Sequence, residues 1–343
     1  MDKICEILTE EFKLAPQQVE NTVALIDDGN TIPFIARYRK EKTGSLSDDV
    51  LRDLYARLTA LRALAEKRAD IIRLIDEQGK LTDELRAQLE AAKTRTELDD
   101  IYRPYRPKRR TRATIAKEKG LEPLAMLLLA QKSGEDLEGA AAEYINEEKE
   151  VLTAADALDG ACDIIAEMLS DNADARRVIR SLTLANAAIS TSAAKDEDSV
   201  YSGYYDFSEP LSKLANHRIL AINRGEKDGF LSVKLTLDEE LCTGYLRRHL
   251  IKNPAAPAKA YLERTVEDSY SRLIAPSVET EVRNILTERA GGEAIKVFAK
   301  NLSALLLQPP VRGKTVLGLD PGYRTGCKVA VVDGTGKVLD TGV

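Results

Sequence analysis

The pattern of apolar and polar positions is helical from the start of the chain to about residue 200. Apolar residues at positions 4, 7, 8 and 12 lie on one face of a first helix. Second and third helices are predicted over 16–28 and 33–42, each followed by a glycine that is typical of a helix end. Three short helices joined by tight turns predict a helix-turn-helix-like N-terminal unit.

A longer apolar stripe follows between Leu51 and Ile75. Ser47 and the two acids behind it are a good helix start, because serine caps the first turn and acids complement the helix dipole there. The stripe predicts a helix of about seven turns that ends near Gly79. Further helices are predicted over 82–93, 121–130, 137–147, 154–170, 172–188, 238–251, 256–289 and 292–307.

Three stretches depart from the helical pattern. Residues 190–202 are rich in Ser and Asp and are interpreted as a linker. The apolar runs 218–224 and 230–235, separated by a Gly-bounded turn, predict a β-hairpin inserted in the helical body. Short Val- and Leu-rich runs with Gly-rich turns predict three strands between 316 and 343.

The chain is predicted to contain three domains. The first, 1–195, is helical, and the second, 196–312, is helical with the inserted hairpin at about 218–235. Pro309 and Pro310 mark the boundary to the third, 313–343. Three strands cannot bury a sheet face alone, so we expect this third part to be the beginning of a truncated domain.

Composition indicates a mainly helical protein without a membrane segment. Of the 343 residues, 43% are hydrophobic and 31% charged, and no run approaches the roughly 20 apolar residues of a membrane span. The start of the chain lacks the basic and apolar pattern of a signal peptide. The four cysteines are far apart, which argues against zinc and against a disulfide framework. We therefore expect a cytoplasmic chain with no metal and no cofactor.

Charge is strongly segregated along the sequence. The net charge is −6, yet residues 102–119 carry eight Lys or Arg and one acid. Such a concentrated cationic segment in an acidic protein predicts a local electrostatic footprint for a polyanion. Most of these cations lie in residues 102–112, which we call the basic strip.

Three long segments carry a family resemblance. In their order and spacing, 30–44, 99–112 and 316–330 resemble the bacterial Tex proteins, transcription accessory factors that bind nucleic acid, and 204–210 and 217–226 are similar to Tex as well. The resemblance implies an elongated helical scaffold followed by an RNase H-like domain of the YqgF type. Helix-hairpin-helix units and an OB-type RNA-binding domain would come next. The expected fold class is thus mainly α, an elongated multi-helix scaffold that ends in the first strands of a truncated RNase H-like domain.

The basic strip is the principal candidate site. Pro104 and Pro107 are expected to keep it extended, so that its cations follow a phosphate backbone, while Tyr102 and Tyr105 stack on bases. Two other interpretations stay open: an intramolecular clamp in which the arginines pair with nearby acidic helices, and a protein-binding surface. The cations concerned are Arg103, Arg106, Lys108, Arg109, Arg110 and Arg112.

A weaker basic-aromatic cluster lies in the third helix. It consists of Arg37, Arg39 and Lys40, with Lys42, beside the aromatic Phe34 and Tyr38. Helical spacing predicts that Phe34, Ile35 and Tyr38 face inward and that the charges face solvent.

Asp320 ends a predicted strand, as the first carboxylate of RNase H-like nucleases does. Such enzymes need about three or four carboxylates around two metal ions. Asp333 and Asp340 lie on adjoining strands, but Asp333 sits at a turn, where Asp is common for local reasons. We interpret Asp320 as a remnant and expect no catalytic residue in this chain.

The sequence therefore predicts a nucleic-acid-binding transcription accessory protein. It is expected to be a non-catalytic scaffold that contacts RNA or DNA phosphates and works with the transcription or translation machinery. One alternative is a metal-dependent RNase H-like nuclease or resolvase when full length. The other is a protein-interaction scaffold of the transcription machinery.

Overall fold

The computed structural model describes residues 2–309, 313–322 and 326–343, and most of these residues are helical. The predicted boundary residue Pro310 and the motif residues 323–325 lie outside the described residues. The helices of the N-terminal half are α1 (Lys3–Phe12), α2 (Pro16–Asp27), α3 (Ile32–Tyr38), α4 (Lys40–Thr43), α5 (Asp48–Asp76), α6 (Asp83–Ala91), α7 (Arg95–Tyr102), α8 (Arg112–Glu118), α9 (Glu122–Ala130) and α10 (Leu137–Ala142). The later helices are α11 (Ala154–Ser170), α12 (Ala173–Asn186), α13 (Asn216–Lys227), α14 (Glu239–Leu250), α15 (Lys259–Asp268) and α16 (Ala275–Leu306).

Helix starts follow the capping residues of the sequence. The Ser47 side chain accepts a hydrogen bond from the Val50 N–H, so α5 begins where the sequence predicts and runs for 29 residues. Ahead of α7, Thr94 and Glu97 form a reciprocal capping box, each side chain accepting from the other's backbone N–H. The predicted mainly helical fold is confirmed.

The described residues fall into two compact units. The first comprises the chain up to Thr183 together with Asp238–Glu279, and the second comprises Leu184–Leu237 and the chain from Thr280 onward. Each unit therefore draws on separate stretches of sequence, whereas the sequence predicts consecutive domains. The domain boundaries near residues 195 and 312 stay a prediction.

In the first unit, the two ends of α5 serve different cores. Its first half packs with α1 and α2 through residues such as Leu8, Val19 and Leu58. Its second half packs with α6 and α7 through Ile75 and Leu98. A helix of this length thus ties the N-terminal helices to the segment that leads into the basic strip.

A large core of the first unit surrounds α11. One face of α11 is apolar and completely covered, including Ala157, Ala161 and Ile164. This face packs with α8, α9, α10 and α15. Gly160 permits a close approach, since a Cβ there would lie 2.4 Å from Leu121 Cδ1. The opposite side of α11 carries the acids discussed below.

The second unit contains a three-stranded antiparallel sheet. Its strands are β1 (Ala188–Ala193), β2 (Asp206–Pro210) and β3 (Leu231–Thr236), in the spatial order β2-β1-β3. Ile189 lies opposite Glu209 on one side and Leu235 on the other. The linker predicted over 190–202 is partly wrong, because the first residues of this range belong to the central strand.

The predicted hairpin is also wrong in its first half. Only 231–236 forms a strand, while the run predicted as its partner is part of α13. Ile219 and Ile222 are spaced three apart and both are fully buried on one face of this helix. A strand would have placed them on opposite sides of a sheet, so tertiary burial selects the helix.

Helix α16 is continuous through Gly291 and Gly292, where the sequence predicts a break. A π-helical segment, Ser269–Ile274, precedes it and ends just before Pro276. Among the described residues, no helix combines the length and the apolarity that a membrane crossing requires.

The predicted C-terminal strands are confirmed. They are β4 (Val316–Gly322), β5 (Gly326–Val332) and β6 (Val338–Gly342), in an antiparallel sheet of order β4-β5-β6. Leu317 and Leu319 on β4 are 58% and 63% exposed, so this sheet carries uncovered apolar side chains.

The fold predicts which thiols react in the native protein. Cys5, Cys162 and Cys242 are buried, and burial raises the pKa of all three thiols, whereas Cys327 is exposed. Because the thiolate is the reactive form, we expect one thiol of the four to be modified rapidly by an aromatic disulfide reagent. The other three should react only after addition of denaturant. Two or more fast thiols without denaturant would contradict the packing described here.

Candidate nucleic-acid interface

The basic strip links α7 to α8. Residues Arg103–Tyr105 form a 3-10 turn, and the backbone becomes extended at Arg106. Thr111 caps α8 by accepting a hydrogen bond from the Thr114 N–H. The expected extended conformation is therefore present at Arg106 and at Thr111 but not around Pro104, which lies inside the turn.

The two tyrosines of the strip face the core. Tyr102 is 8% exposed and packs in the cluster that α5, α6 and α7 share. Its ring has no free face for a base, which corrects the predicted stacking role. Tyr105 is half-buried against the same cluster, and its carbonyl oxygen accepts a hydrogen bond from Gln78 Nε2 at 2.9 Å. Both rings hold the strip on the helical body.

An acidic ladder on α11 lies beneath the strip. It consists of four carboxylates spaced four residues apart, a spacing that places them along one side of a helix and of the turn that ends it. Like charges at this spacing repel each other, so the ladder requires cations from other elements. Its members are Asp159, Asp163, Glu167 and Asp171.

The strip supplies the cations for one end of the ladder. Lys108 Nζ forms ion pairs with Asp171 and, at 3.5 Å, with Glu167. Arg103 Nε lies 3.5 Å from the same Asp171 carboxylate. The Asp171 and Glu167 side chains are only 12% and 18% exposed, so these pairs are shielded from solvent more than typical surface pairs. Lys108 and Arg103 thus form the clamp that the sequence left open as an alternative.

Arginines from α15 and the π-helical segment pair with the other end of the acidic ladder. Arg264 pairs with Asp159, and Arg272 Nη2 lies 3.1 Å from Asp163. Burial raises the pKa of Asp163, and the positive charges of Arg272 and Arg112 oppose that rise. Arg112, at the start of α8, therefore acts electrostatically on the ladder. Sequence reasoning missed the ladder, although its regular spacing was visible.

The remaining cations of the strip face solvent. Arg106 and Arg109 are exposed, and within the described part of the chain neither side chain forms an ion pair or a hydrogen bond. Arg110 Nη2 lies 3.0 Å from Glu118, but the two side chains are 70% and 55% exposed. Such a pair contributes little and exchanges readily with another anion. We call Arg106, Arg109 and Arg110 the outward row.

The weaker cluster has a different geometry from the one predicted. Ile35 is fully buried as expected, but Tyr38 is 61% exposed, so its predicted inward orientation is wrong. Tyr38 is the last residue of α3, and its ring packs beside Phe34, with 5.3 Å between the ring centroids, rather than in the core. Arg37 and Lys40 are exposed, as predicted, while Arg39 lies over the Phe34 ring.

The C-terminal carboxylates do not converge. Asp320 on β4 lies opposite Lys328 on β5. Asp333 accepts hydrogen bonds from the Thr335 hydroxyl and from the backbone N–H groups of Thr335 and Lys337, and these bonds lower the pKa of this carboxyl. Asp333 therefore stabilises the turn between β5 and β6. Within 2–309, 313–322 and 326–343, no group of three or more His, Cys, Asp or Glu side chains is placed to hold a metal ion.

Three protein-family models match successive parts of the chain. The Tex-like protein N-terminal domain matches residues 2–76, the Tex central region-like model matches 132–298, and the Tex protein YqgF-like domain matches 314–343. The chain belongs to the Tex family. The basic strip lies between the first two of these matches, and the third identifies the C-terminal strands as part of a YqgF-like domain.

Similar proteins occur in bacteria and in animals. The chain is 46% identical over 336 residues to "Uncharacterized protein YdcI" of Bacillus subtilis, covering 97% of this chain and 47% of that protein. It is 43% identical to "Transcriptional accessory protein Tex" of Neisseria gonorrhoeae, covering 98% and 45% respectively. It is 34% identical to human "S1 RNA-binding domain-containing protein 1", covering 98% and 35%. The chain thus spans about half the length, or less, of the curated relatives it matches.

Proposed function

We propose that this chain is a non-catalytic, nucleic-acid-binding part of a transcription accessory protein of the Tex family. In this proposal the outward row contacts the phosphates of RNA or DNA. The observation that carries it is the pair Arg106 and Arg109, two exposed guanidinium groups that have no carboxylate partner within the described residues. The relative in Neisseria gonorrhoeae is named a transcriptional accessory protein, which agrees with this role.

The cations of the strip divide into a paired set and the exposed outward row, and this division supports the proposal. Arg103 and Lys108 are held by the acidic ladder, and this pairing fixes the course of the backbone between them. Arg106 lies between these two anchors, and Arg109 follows directly after the second. A cation on a backbone that is already ordered loses less conformational freedom when it binds phosphate than one on a mobile loop.

Contacts of this kind would position nucleic acid without reading its sequence. Phosphate contacts carry no direct sequence information, and their strength falls steeply with salt because bound counterions are released. The outward row offers guanidinium groups to the backbone, and Tyr102 and Tyr105 are held against the core. We therefore expect binding at the strip to be indifferent to base sequence.

Binding should weaken when the two unpaired arginines are removed. We expect the double change Arg106→Ser and Arg109→Ser to reduce the slope of log affinity against log salt by about two units, one for each lost phosphate contact. The measurement is fluorescence anisotropy of the whole chain with labelled single-stranded RNA and duplex DNA over a salt series. An unchanged slope in the double variant would overturn the proposal for the strip.

Two further variants distinguish phosphate contact at the strip from two other effects. These are a general effect of net charge and an effect of the clamp on stability. Arg86→Ser with Arg95→Ser removes the same charge from two exposed arginines outside the strip, and this variant should keep the original slope. Lys108→Ser removes an anchor and should lower the stability of the fold more than it changes the slope. If only Lys108→Ser had an effect, and only on stability, the strip would be a clamp and the chain a protein-interaction scaffold.

A further inference from the structure

A second surface of the first unit combines an exposed aromatic ring with cations. The Phe34 and Tyr38 ring centroids lie 5.3 Å apart at an angle of 48°. The Arg39 guanidinium carbon lies 5.1 Å from the Phe34 centroid, and Arg39 Nη1 donates a hydrogen bond to the Tyr38 carbonyl oxygen at 2.9 Å. We call Phe34, Tyr38 and Arg39 the aromatic platform.

The platform supports the Tyr38 ring from one side and leaves it open to solvent. Phe34 packs beside Tyr38, and Arg39 in turn lies over Phe34, so neighbouring side chains restrict the orientation of the ring. Nevertheless 61% of Tyr38 is exposed. A single exposed aromatic residue needs no explanation, but a supported ring beside unpaired cations is the arrangement that nucleobase stacking uses.

The surroundings of the platform are cationic. Residues 33–43 contain four cations and one acid, Glu41. Arg37, Lys40 and Lys42 are exposed, and in the described part of the chain none of their side chains forms an ion pair. A polyanion with planar groups therefore fits this surface better than an acidic or apolar peptide does, because it satisfies both the ring and the cations.

We propose that the aromatic platform binds an unpaired base of a single-stranded nucleic acid. The base stacks on Tyr38, and Arg37, Lys40 and Lys42 hold the phosphates on either side of it. The inference rests on the proposed nucleic-acid binding and gives it a preference for single strands. In a duplex both faces of each base are covered by neighbouring base pairs, so the ring has nothing to stack on.

The absence of tryptophan from the sequence allows a direct test of stacking. The chain contains no Trp, so Tyr38→Trp introduces a single indole fluorophore. We expect addition of oligouridylate or oligothymidylate to quench its emission, and the matching duplex to leave it nearly unchanged. Tyr55→Trp is the matched control, because Tyr55 is 46% exposed in the same unit but lies outside the platform. Equal quenching at both positions, or none at position 38, would overturn the proposal.

Affinity supplies an independent readout. Tyr38→Ala should weaken binding of the single strand on the order of ten-fold and leave duplex binding unchanged. Its salt slope should match that of the unsubstituted chain, because no phosphate contact is lost. Tyr38→Phe keeps the ring and should bind normally. Equal weakening by Tyr38→Phe, or equal loss of duplex binding by Tyr38→Ala, would contradict stacking.

The two proposals fail in distinguishable ways. If Tyr38→Ala weakens single-strand binding while the Arg106 and Arg109 double variant keeps the original slope, the platform binds nucleic acid and the strip does not. If the double variant loses slope and Tyr38→Ala binds single strands normally, the strip proposal stands and the platform proposal is wrong. No binding of either probe at low salt by the folded chain would overturn both.

Discussion

Replacing Asp100 by Ala should destabilise the first unit by about 3–5 kcal/mol, the range seen when one partner of a buried ion pair is removed. Asp100 Oδ1 accepts a hydrogen bond from Arg176 Nε at 3.3 Å, and both of its carboxylate oxygens accept from Arg180 Nη2 at 2.9 and 2.8 Å. The Arg176 side chain is fully buried, and those of Arg180 and Asp100 are 10% and 9% exposed. The substitution would leave two buried guanidinium groups without their shared carboxylate.

Asp99 provides a matched control one residue away. Its carboxylate lies 2.5 Å from Lys67 Nζ, but the two side chains are 45% and 24% exposed. Asp99→Ala should therefore cost at most about 1 kcal/mol. Urea denaturation followed by circular dichroism measures both variants, and faster modification of the buried Cys162 thiol reports opening of the same unit. Similar free energies of unfolding for the two variants would show that the buried Asp100 ion pairs contribute no more to stability than the exposed Asp99 pair does.

The Asp100 network shows where sequence reasoning stops. Asp100 lies in the 99–112 segment that carries the family resemblance, yet its partners are 76 and 80 residues away on α12. Nothing local distinguishes Arg176 from its neighbour Arg177, which pairs at the surface with Asp174. Which of the two arginines is buried depends on how α7 and α12 pack. This long-range choice is not present in periodicity or in composition.

Helix starts and strands were predicted more accurately than long-range contacts, because they depend on residues that are close together in the sequence. The start of α5 follows from Ser47 and the acids after it, and the C-terminal strands follow from short apolar runs between glycines. For the basic strip, the sequence identified a cationic segment but could not assign its members. Lys108 pairs with the ladder and Arg109, the next residue, faces solvent. The assignment required the position of α11.

The error at α13 has a different origin. Its sequence contains several apolar residues close together, which a strand and a buried helix share. Burial of Ile219 and Ile222 on one face selects the helix, and its close packing on β3 depends on Gly225. A Cβ at this position would lie 2.6 Å from Leu231 Cδ1 and 3.1 Å from Tyr201 Cδ1. In the sequence this glycine appeared as the start of a turn.

Substitutions at Gly225 should therefore destabilise the second unit, against the trend of helix propensity. In an exposed helix, Gly→Ala is stabilising by up to about 1 kcal/mol. Here we expect Gly225→Ala to lower stability by roughly 1–3 kcal/mol and Gly225→Val to lower it further, because both overfill a packed contact. Leu231 is 3% exposed, so its side chain cannot move aside into solvent. Urea denaturation gives the stabilities, and hydrogen exchange of the β3 amides localises the change to this sheet.

A control variant and a rescue variant test whether crowding at Gly225 causes the loss of stability. Gly203→Ala adds a methyl group where no atom lies within 4 Å, so its effect should be within about 0.5 kcal/mol. Combining Gly225→Ala with Leu231→Ala should cost less than the sum of the two single changes, because the smaller side chain makes room for the new methyl group. A stabilised Gly225→Ala chain, or additive effects in the double variant, would mean that α13 does not pack on β3 through this glycine. The helix would then owe its position in the second unit to its other contacts, such as the Arg283–Glu226 ion pair with α16.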